Sequence, residues 1–190
     1  MRVIGGRHRG RRLTAPAGDT VRPTSDRARE SLFNILGHGD FAAAGSPFAG
    51  ENVVDAFAGT GALGIEALSR GAARAAFIET DRAALAALRR NLAALDEEDA
   101  ADIIAGDATR PPRAPYAAVL ALLDPPYRSG LAGPALEALA QMGWLARHAV
   151  AVVELAATEP FSPPAGFAMI EERRYGAAKL VFLRRQGEAR

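Results

Sequence analysis

Asn52-Val53-Val54-Asp55-Ala56-Phe57-Ala58-Gly59-Thr60-Gly61-Ala62-Leu63-Gly64 is the stretch on which the fold turns. Its first half, Asn52–Phe57, reads as a short buried strand. Gly59, Gly61 and Gly64 then fit G-x-G-x-x-G, and residues 61–70 read as a helix stopped by Gly71. Such glycines allow a tight turn and let a ligand approach the backbone at a helix N-terminus. A plain strand-to-helix turn uses glycine too, so the motif alone is a weak signal.

Outward from this stretch, strands and helices alternate. Residues 74–79 form a second strand. Thr80 or Asp81 caps a helix whose Leu85, Leu88, Leu92 and Leu95 make a core-facing stripe. Ala101–Ala105, Ala117–Leu123 and Ala149–Glu154 supply three more strands, with a helix over 131–145 before the last. After the proline-rich loop 159–166, residues 168–175 and 178–184 are strands joined around Gly176, a link short enough to require antiparallel pairing. The expected fold is α/β and Rossmann-like: a mostly parallel seven-stranded sheet, helices on both faces and a C-terminal antiparallel strand pair.

The first 37 residues read differently. Residues 2–13 look extended, with Gly5-Gly6 and Gly10 permitting turns, and the alternation of Arg7, Arg9 and Arg11 would put three guanidinium groups on one face. A helix opens at Thr24, Ser25 or Asp26, carries Leu32, Phe33, Ile35 and Leu36, and ends at Gly37. The expected division is a basic hairpin-and-helix extension over 1–37 and the sheet domain over 38–190.

Composition narrows the function. The 190 residues are 49% hydrophobic and 24% charged, a globular balance sufficient for one well-buried domain with a small appendage. No apolar run approaches the roughly 20 residues of a membrane span, and the N-terminus has no secretory signal. A cytoplasmic protein, a monomer by default and without membrane contact, is expected. Cysteine is absent, and His8, His38 and His148 lack metal-ligand spacing, so no disulfide or metal site is expected. Net charge is +1, yet residues 1–22 carry six arginines against Asp19, a net +5 that leaves −4 for the rest. Clustered arginine suits a polyanion or a plain solvated end.

Two acids extend the glycine motif. Glu79 ends the second strand, where a carboxylate accepts from ribose hydroxyls, and Asp107 follows the third, where it could hold an adenine amino group. Each reads equally as a solvent-facing carboxylate or a helix cap. Asp55 beside the glycines disfavours a phosphate and favours a cation or amine. The chain is too short for a separate substrate domain and shows no hydride-transfer constellation. S-adenosylmethionine, with an adenosine, an ammonium and a sulfonium, satisfies these demands.

A second stretch, Asp124-Pro125-Pro126-Tyr127, closes the apolar run Val119–Leu123. Two prolines cannot continue a central strand, so the chain leaves the sheet with a carboxylate, carbonyls and a ring held together. Those groups suit a planar ring bearing an amino group. A proline-rich turn with a surface tyrosine is the plainer alternative.

Asp55–Gly64 resembles motif I of class I S-adenosylmethionine-dependent methyltransferases, and Asp124–Tyr127 resembles the (Asn/Asp)-Pro-Pro-(Tyr/Phe) motif of enzymes that methylate exocyclic or amide nitrogens. Ile4-Gly5-Gly6 with Arg9-Gly10-Arg11 and Leu13, then Arg22-Pro23-Thr24 with Asp26-Arg27, Arg29-Glu30 and Leu32-Phe33-Asn34, then Phe57 through Arg70, resemble the RsmD family of bacterial 16S rRNA guanine-N2 methyltransferases. The resemblance covers nearly the whole chain. It implies that Asp124, Pro125, Pro126 and Tyr127 are catalytic. It implies that Asp55, Phe57, Gly59, Thr60, Gly61, Glu79 and Asp107 hold S-adenosylmethionine, with S-adenosylhomocysteine as product. Arg7, Arg9, Arg11, Arg12 and Arg22 would meet the phosphates of 16S rRNA or of an assembling small subunit. The alternatives are a methyltransferase for another nucleic acid base or a glutamine amide, a noncatalytic RNA-binding assembly module, and a nicotinamide oxidoreductase.

Overall fold

The computed structural model describes residues 1–15, 26–38, 41 and 46–187. The strands β1 (Asn52–Ala56), β2 (Arg74–Glu79), β3 (Ala101–Ala105), β4 (Ala118–Leu123), β5 (Leu145–Ala156), β6 (Phe167–Tyr175) and β7 (Ala178–Arg185) form one sheet in the order β3-β2-β1-β4-β5-β7-β6. β1 through β5 run parallel, and β7 joins β5 and β6 antiparallel. The Rossmann-like expectation is met.

Successive residues of a strand point to opposite faces, and each face has its own cover. Val53, Phe77, Leu120, Val152 and Phe182 pack under α1 (Asp26–Leu36), α2 (Ala62–Ser69) and α3 (Arg82–Ala94). Val54, Ile78, Leu123, Val153 and Val181 pack under α4 (Ala132–Gln141) and Trp144. The leucine stripe of α3 is buried, and Asp81 caps that helix by accepting from Ala84 N at 2.7 Å. α1 buries Leu32, Phe33 and Leu36, and Gly37 follows it. Thr24 and Ser25, the other two residues suited to cap it, lie outside the described residues.

Two boundaries differ from expectation by more than two residues. α4 stops at Gln141 rather than reaching 145, because Gly143 takes a left-handed φ of 82° that a helix cannot continue. β5 starts at Leu145 rather than 149, its pairing with β4 shifting register near His148, which itself has φ 62°.

The basic N-terminus is a correction. Residues 1–3 and 11–13 pair as a narrow hairpin, with Arg2 opposite Arg12, while residues 5–10 are bends and turns built on Gly6 (φ 74°) and Gly10 (φ 85°). The alternation of Arg7, Arg9 and Arg11 is therefore not carried by a strand, and their side chains do not share a face by that rule.

The hairpin docks onto α2. The fully buried Glu66 carboxylate accepts from Ile4 N, Gly5 N and Arg70 Nε, each at 2.8 Å. Arg7 N donates to Ser69 O at 2.7 Å, so the hairpin satisfies a carbonyl the helix end leaves free. A Cβ on Gly6 would sit 1.8 Å from that oxygen, so only glycine fits. Arg29 of α1 is buried beside Glu66, and burial lowers its pKa.

Candidate active site

The glycine loop leaves β1 and enters α2 through backbone that few side chains tolerate: Phe57 at φ 60°, Gly59 at 55° and Gly61 at 85°. Two carboxylates hold it. Asp55 Oδ2 accepts from Gly64 N at 2.8 Å. Glu79, at the end of neighbouring β2, accepts from Gly59 N at 2.7 Å, Thr80 N at 2.7 Å and Asp81 N at 2.8 Å. Gly64 is needed for packing, since a Cβ there would meet the Phe77 ring at 2.3 Å. Gly59 is the opposite case: a Cβ would find no atom within 4 Å, so the backbone faces open space.

Asp55 is 1% exposed, and its carboxyl turns into the loop rather than outward. Burial pushes its pKa well above the usual carboxylate range; the Gly64 hydrogen bond opposes this, and nearby Asp124 and Glu79 add to it. Asp107, exposed beyond β3, shifts the other way. Its carboxylate accepts from Thr109 N and Thr109 Oγ1, both at 2.8 Å, and these bonds lower its pKa.

The second turn starts one strand away. β4 pairs with β1 so that Ala56 lies beside Leu123, and Asp124 N donates to Ala56 O at 3.3 Å. Asp124-Pro125-Pro126-Tyr127 and the glycine loop therefore share the carboxyl edge of the sheet, where open α/β sheets place their ligands. Pro125 is buried and Pro126 exposed. The Tyr127 hydroxyl donates to Glu154 Oε1 at 2.9 Å, which fixes the ring, and Glu154 is 4% exposed in β5. Arg128, at φ 59°, donates its N–H to Glu159 Oε2 at 2.8 Å.

The structure thus gathers Asp55, Phe57, Gly59, Thr60, Gly61, Glu79, Asp107 and Asp124–Tyr127 along one sheet edge. The arginines divide. Arg7 makes two bonds to the Glu97 carboxylate, at 2.8 and 2.7 Å, and Arg11 donates to Ala94 O at 2.5 Å at the end of α3. Arg9 and Arg12 are exposed, and neither has an ion pair or side-chain hydrogen bond among the described residues. Arg22 lies outside the described residues. No cluster of potential metal ligands occurs among the described residues, and no described helix is long and apolar enough to cross a membrane.

Three further residues shape the site. Glu154 had a signal in the sequence: a carboxylate closing the apolar run Ala149–Val153. Glu159 had none beyond its place before Pro160. Asn91, 2% exposed on the leucine-rich α3, spends its amide on backbone. It donates to Thr60 O at 3.0 Å and Thr14 O at 3.1 Å and accepts from Thr14 N at 2.7 Å, joining the glycine loop to the chain leaving the hairpin.

The chain is similar to known proteins along nearly its whole length. A family model described as "Conserved hypothetical protein 95" matches residues 1–184. Ribosomal RNA small subunit methyltransferase D of Escherichia coli (strain K12) is 36% identical over 192 residues, covering 100% of this chain and 93% of that protein. The Haemophilus influenzae protein of the same name is 33% identical, with 93% and 89% covered. The solved structure of yhhF from Escherichia coli superposes with a TM-score of 0.82 at 36% identity over 98% of both chains. Matched from the hairpin through β7, and sharing the fold with the sequence, this chain belongs to the RsmD family of class I methyltransferases.

Proposed function

We propose that the protein transfers a methyl group from S-adenosylmethionine to the exocyclic N2 of a guanine in 16S rRNA of the small ribosomal subunit. The observation that carries this reading is the meeting of the Asp124–Tyr127 turn with the glycine loop across neighbouring strand ends, in a chain whose relatives are named for small-subunit rRNA methylation.

The residues fit the methyl donor. Gly59 leaves open space where a side chain would stand, so a ligand can lie against its backbone, while Gly61 keeps the turn beside Thr60 packed on Leu88, which a Cβ there would meet at 2.3 Å. Glu79 ends β2, where a carboxylate suits ribose hydroxyls, Asp107 follows β3, where it would meet an adenine amino group, and Phe57 would join them in holding the donor. Asp55 contributes by holding the loop. When bound, S-adenosylmethionine supplies a methyl group already activated by its sulfonium.

The protein's own groups prepare the acceptor. The lone pair of guanine N2 is delocalised into the ring and makes a poor nucleophile. The Asp124 carboxylate and the Pro125 carbonyl accept hydrogen bonds from its NH2, which favours a pyramidal nitrogen. Positive charge grows on that nitrogen in the transition state, and Asp124 stabilises it. Asp124 then accepts the released proton or passes it to water. Pro125 and Pro126 stiffen the turn, so positioning for in-line attack costs little at the moment of reaction. Tyr127 offers a ring for stacking to a base that has left its helix. Arg9 and Arg12 meet rRNA phosphates directly, with Arg7, Arg11 and Arg22 completing a basic approach that positions the RNA without reading sequence.

The test is transfer of isotope-labelled methyl groups to small subunits, naked 16S rRNA and DNA, followed by mapping of the label. Label appears on guanine N2. In Asp124→Ala transfer falls by about 10²–10³-fold, as for loss of one transition-state partner, while donor binding survives. Label on DNA but not rRNA refutes the assignment.

A further inference from the structure

The outer face of α3 carries a charge pattern that the helix itself does not call for. Arg82, Arg89 and Arg90 are exposed on it, and the helix contains no acid. Within the helix, every residue three or four places from them is leucine or alanine, so the usual intrahelical ion pairs cannot form. None of the three makes an ion pair or a side-chain hydrogen bond among the described residues. Arg82 opens the first turn, where the helix dipole disfavours a cation, and the last turn holds no base. Asp96, Glu97, Glu98 and Asp99 come only past the helix end, where the dipole disfavours acids. Stability alone would favour the opposite order.

The position of α3 supplies a reason. The helix starts beside Glu79, at the carboxyl edge of the sheet that also carries the glycine loop. Its other end meets the hairpin, where Arg11 donates to Ala94 O and Thr14 N donates to Asn91 Oδ1. The 13 residues between cover about 20 Å. Arg82 and Arg89 are seven residues apart, close to two full turns, and so line up along the helix. Arg90 stands one turn before Ala94. Ala83 and Ala93 are exposed and small, so a chain can lie close to the face the arginines share.

We infer that the outer face of α3 is a second contact surface for the RNA backbone, a track of Arg90, Arg89 and Arg82 that runs from the hairpin to the carboxyl edge of the sheet. Guanidinium groups with no acid among them suit a line of phosphates. The track is also continuous with the exposed Arg12 of the hairpin, which lies next to the Arg11 that reaches α3. The inference rests on the RNA substrate proposed above and adds a path to it. The hairpin alone grips RNA at one end of α3, and the track carries that grip along the helix to the end nearest Glu79. Contacts of this kind position the strand and leave base choice to the site.

The salt dependence of binding tests it, because that dependence counts phosphates. The affinity of the full-length protein for 16S rRNA is measured over a series of salt concentrations. Loss of one phosphate contact lowers the slope of log affinity against log salt by about 0.7–0.9. Arg82→Gln, Arg89→Gln and Arg90→Gln combined therefore lower it by about 2–3 and raise the Kd for RNA roughly tenfold or more. Donor affinity by calorimetry and the melting temperature stay at wild-type values. Lysine at the three positions keeps the charge and restores the slope. Arg173→Gln, on the edge strand β6 where Arg173 pairs with Glu171, leaves the slope unchanged; an equal loss there would make the effect one of net charge and overturn the track. An unchanged slope in the triple glutamine variant overturns the track and leaves the functional reading, which is judged by transferred label, standing. A slope lost together with donor affinity also overturns it, since the face would then be supporting the fold. Should the triple variant fail to fold, the single variants decide, and unchanged slopes in all three overturn the proposal. A wild-type protein that binds no RNA overturns the functional reading and the track together.

Discussion

The glycine loop and the Asp124 turn do related jobs one strand apart, yet they are fixed in different ways. Both are irregular backbone at the ends of neighbouring parallel strands, and both lean on carboxylates. At the glycine loop Asp55 and Glu79 accept mainly from backbone N–H groups, with one longer bond from Thr80 Oγ1 to Glu79 at 3.4 Å. At the Asp124 turn Glu154 accepts from a side chain, Tyr127, and Glu159 from the backbone just after it. A loop that must offer bare backbone to a ligand is shaped by glycine and pinned by its amides. A turn that must offer a ring and a carboxylate is stiffened by proline and pinned through the ring. The two should therefore fail differently.

The donor side is the more brittle. Gly64→Ala forces a methyl group against Phe77, an overpacking that costs about 1–3 kcal/mol. We expect a lower melting temperature and weaker donor binding together; a variant with both at wild-type values would break the contrast. Glu79→Gln replaces two acceptor oxygens by one and turns an NH2 toward amide donors. Donor affinity should fall roughly tenfold with the KM for RNA unchanged, and equal losses on both would show that the halves are not separable. On the acceptor side, Tyr127→Phe removes the bond to Glu154 at a cost of about 1 kcal/mol. Its expected signature is a several-fold lower kcat for RNA with donor binding intact.

The smallest effect concerns pH. The folded-state pKa of Asp55 is raised by burial, so over the window from the ordinary carboxylate value up to that raised value the folded state binds more protons than the unfolded one. Stability must fall as pH rises through that window. Asp55→Asn can still accept from Gly64 N and should flatten that slope in melting curves recorded against pH. An unchanged slope would mean that Asp55 is charged in its buried position.

Much of this was legible in the chain because it is written locally. The glycines, the strand-ending acids and the Asp124 tetrad lie within strands and turns whose periodicity declares them. The C-terminal strand pair followed from two strand-like runs and the short link at Gly176 between them. The groups that hold the site in place were harder to read, because their partners are remote. Glu154 and Glu159 act on residues 27 and 31 positions away, and Asn91 on one 77 positions away. On α3, Asn91 looks like an ordinary polar break in a leucine stripe. The arginine pattern misled for a related reason. A period of two predicts a shared face only in extended chain, and Gly6 and Gly10 turn the segment before that rule applies. Arg7 then finds Glu97, 90 residues on.

One feature of the hairpin dock concerns length. α2 begins at the glycine loop and ends where Ser69 receives Arg7, so both of its termini are occupied by other parts of the molecule. Its eight residues span about 12 Å. One residue more would turn the far end by about 100° and move it about 1.5 Å. Glu66 would then no longer face Ile4 and Gly5. The helix is thus a spacer of set length and phase, and insertions or deletions within it should be far less tolerated than substitutions on its surface.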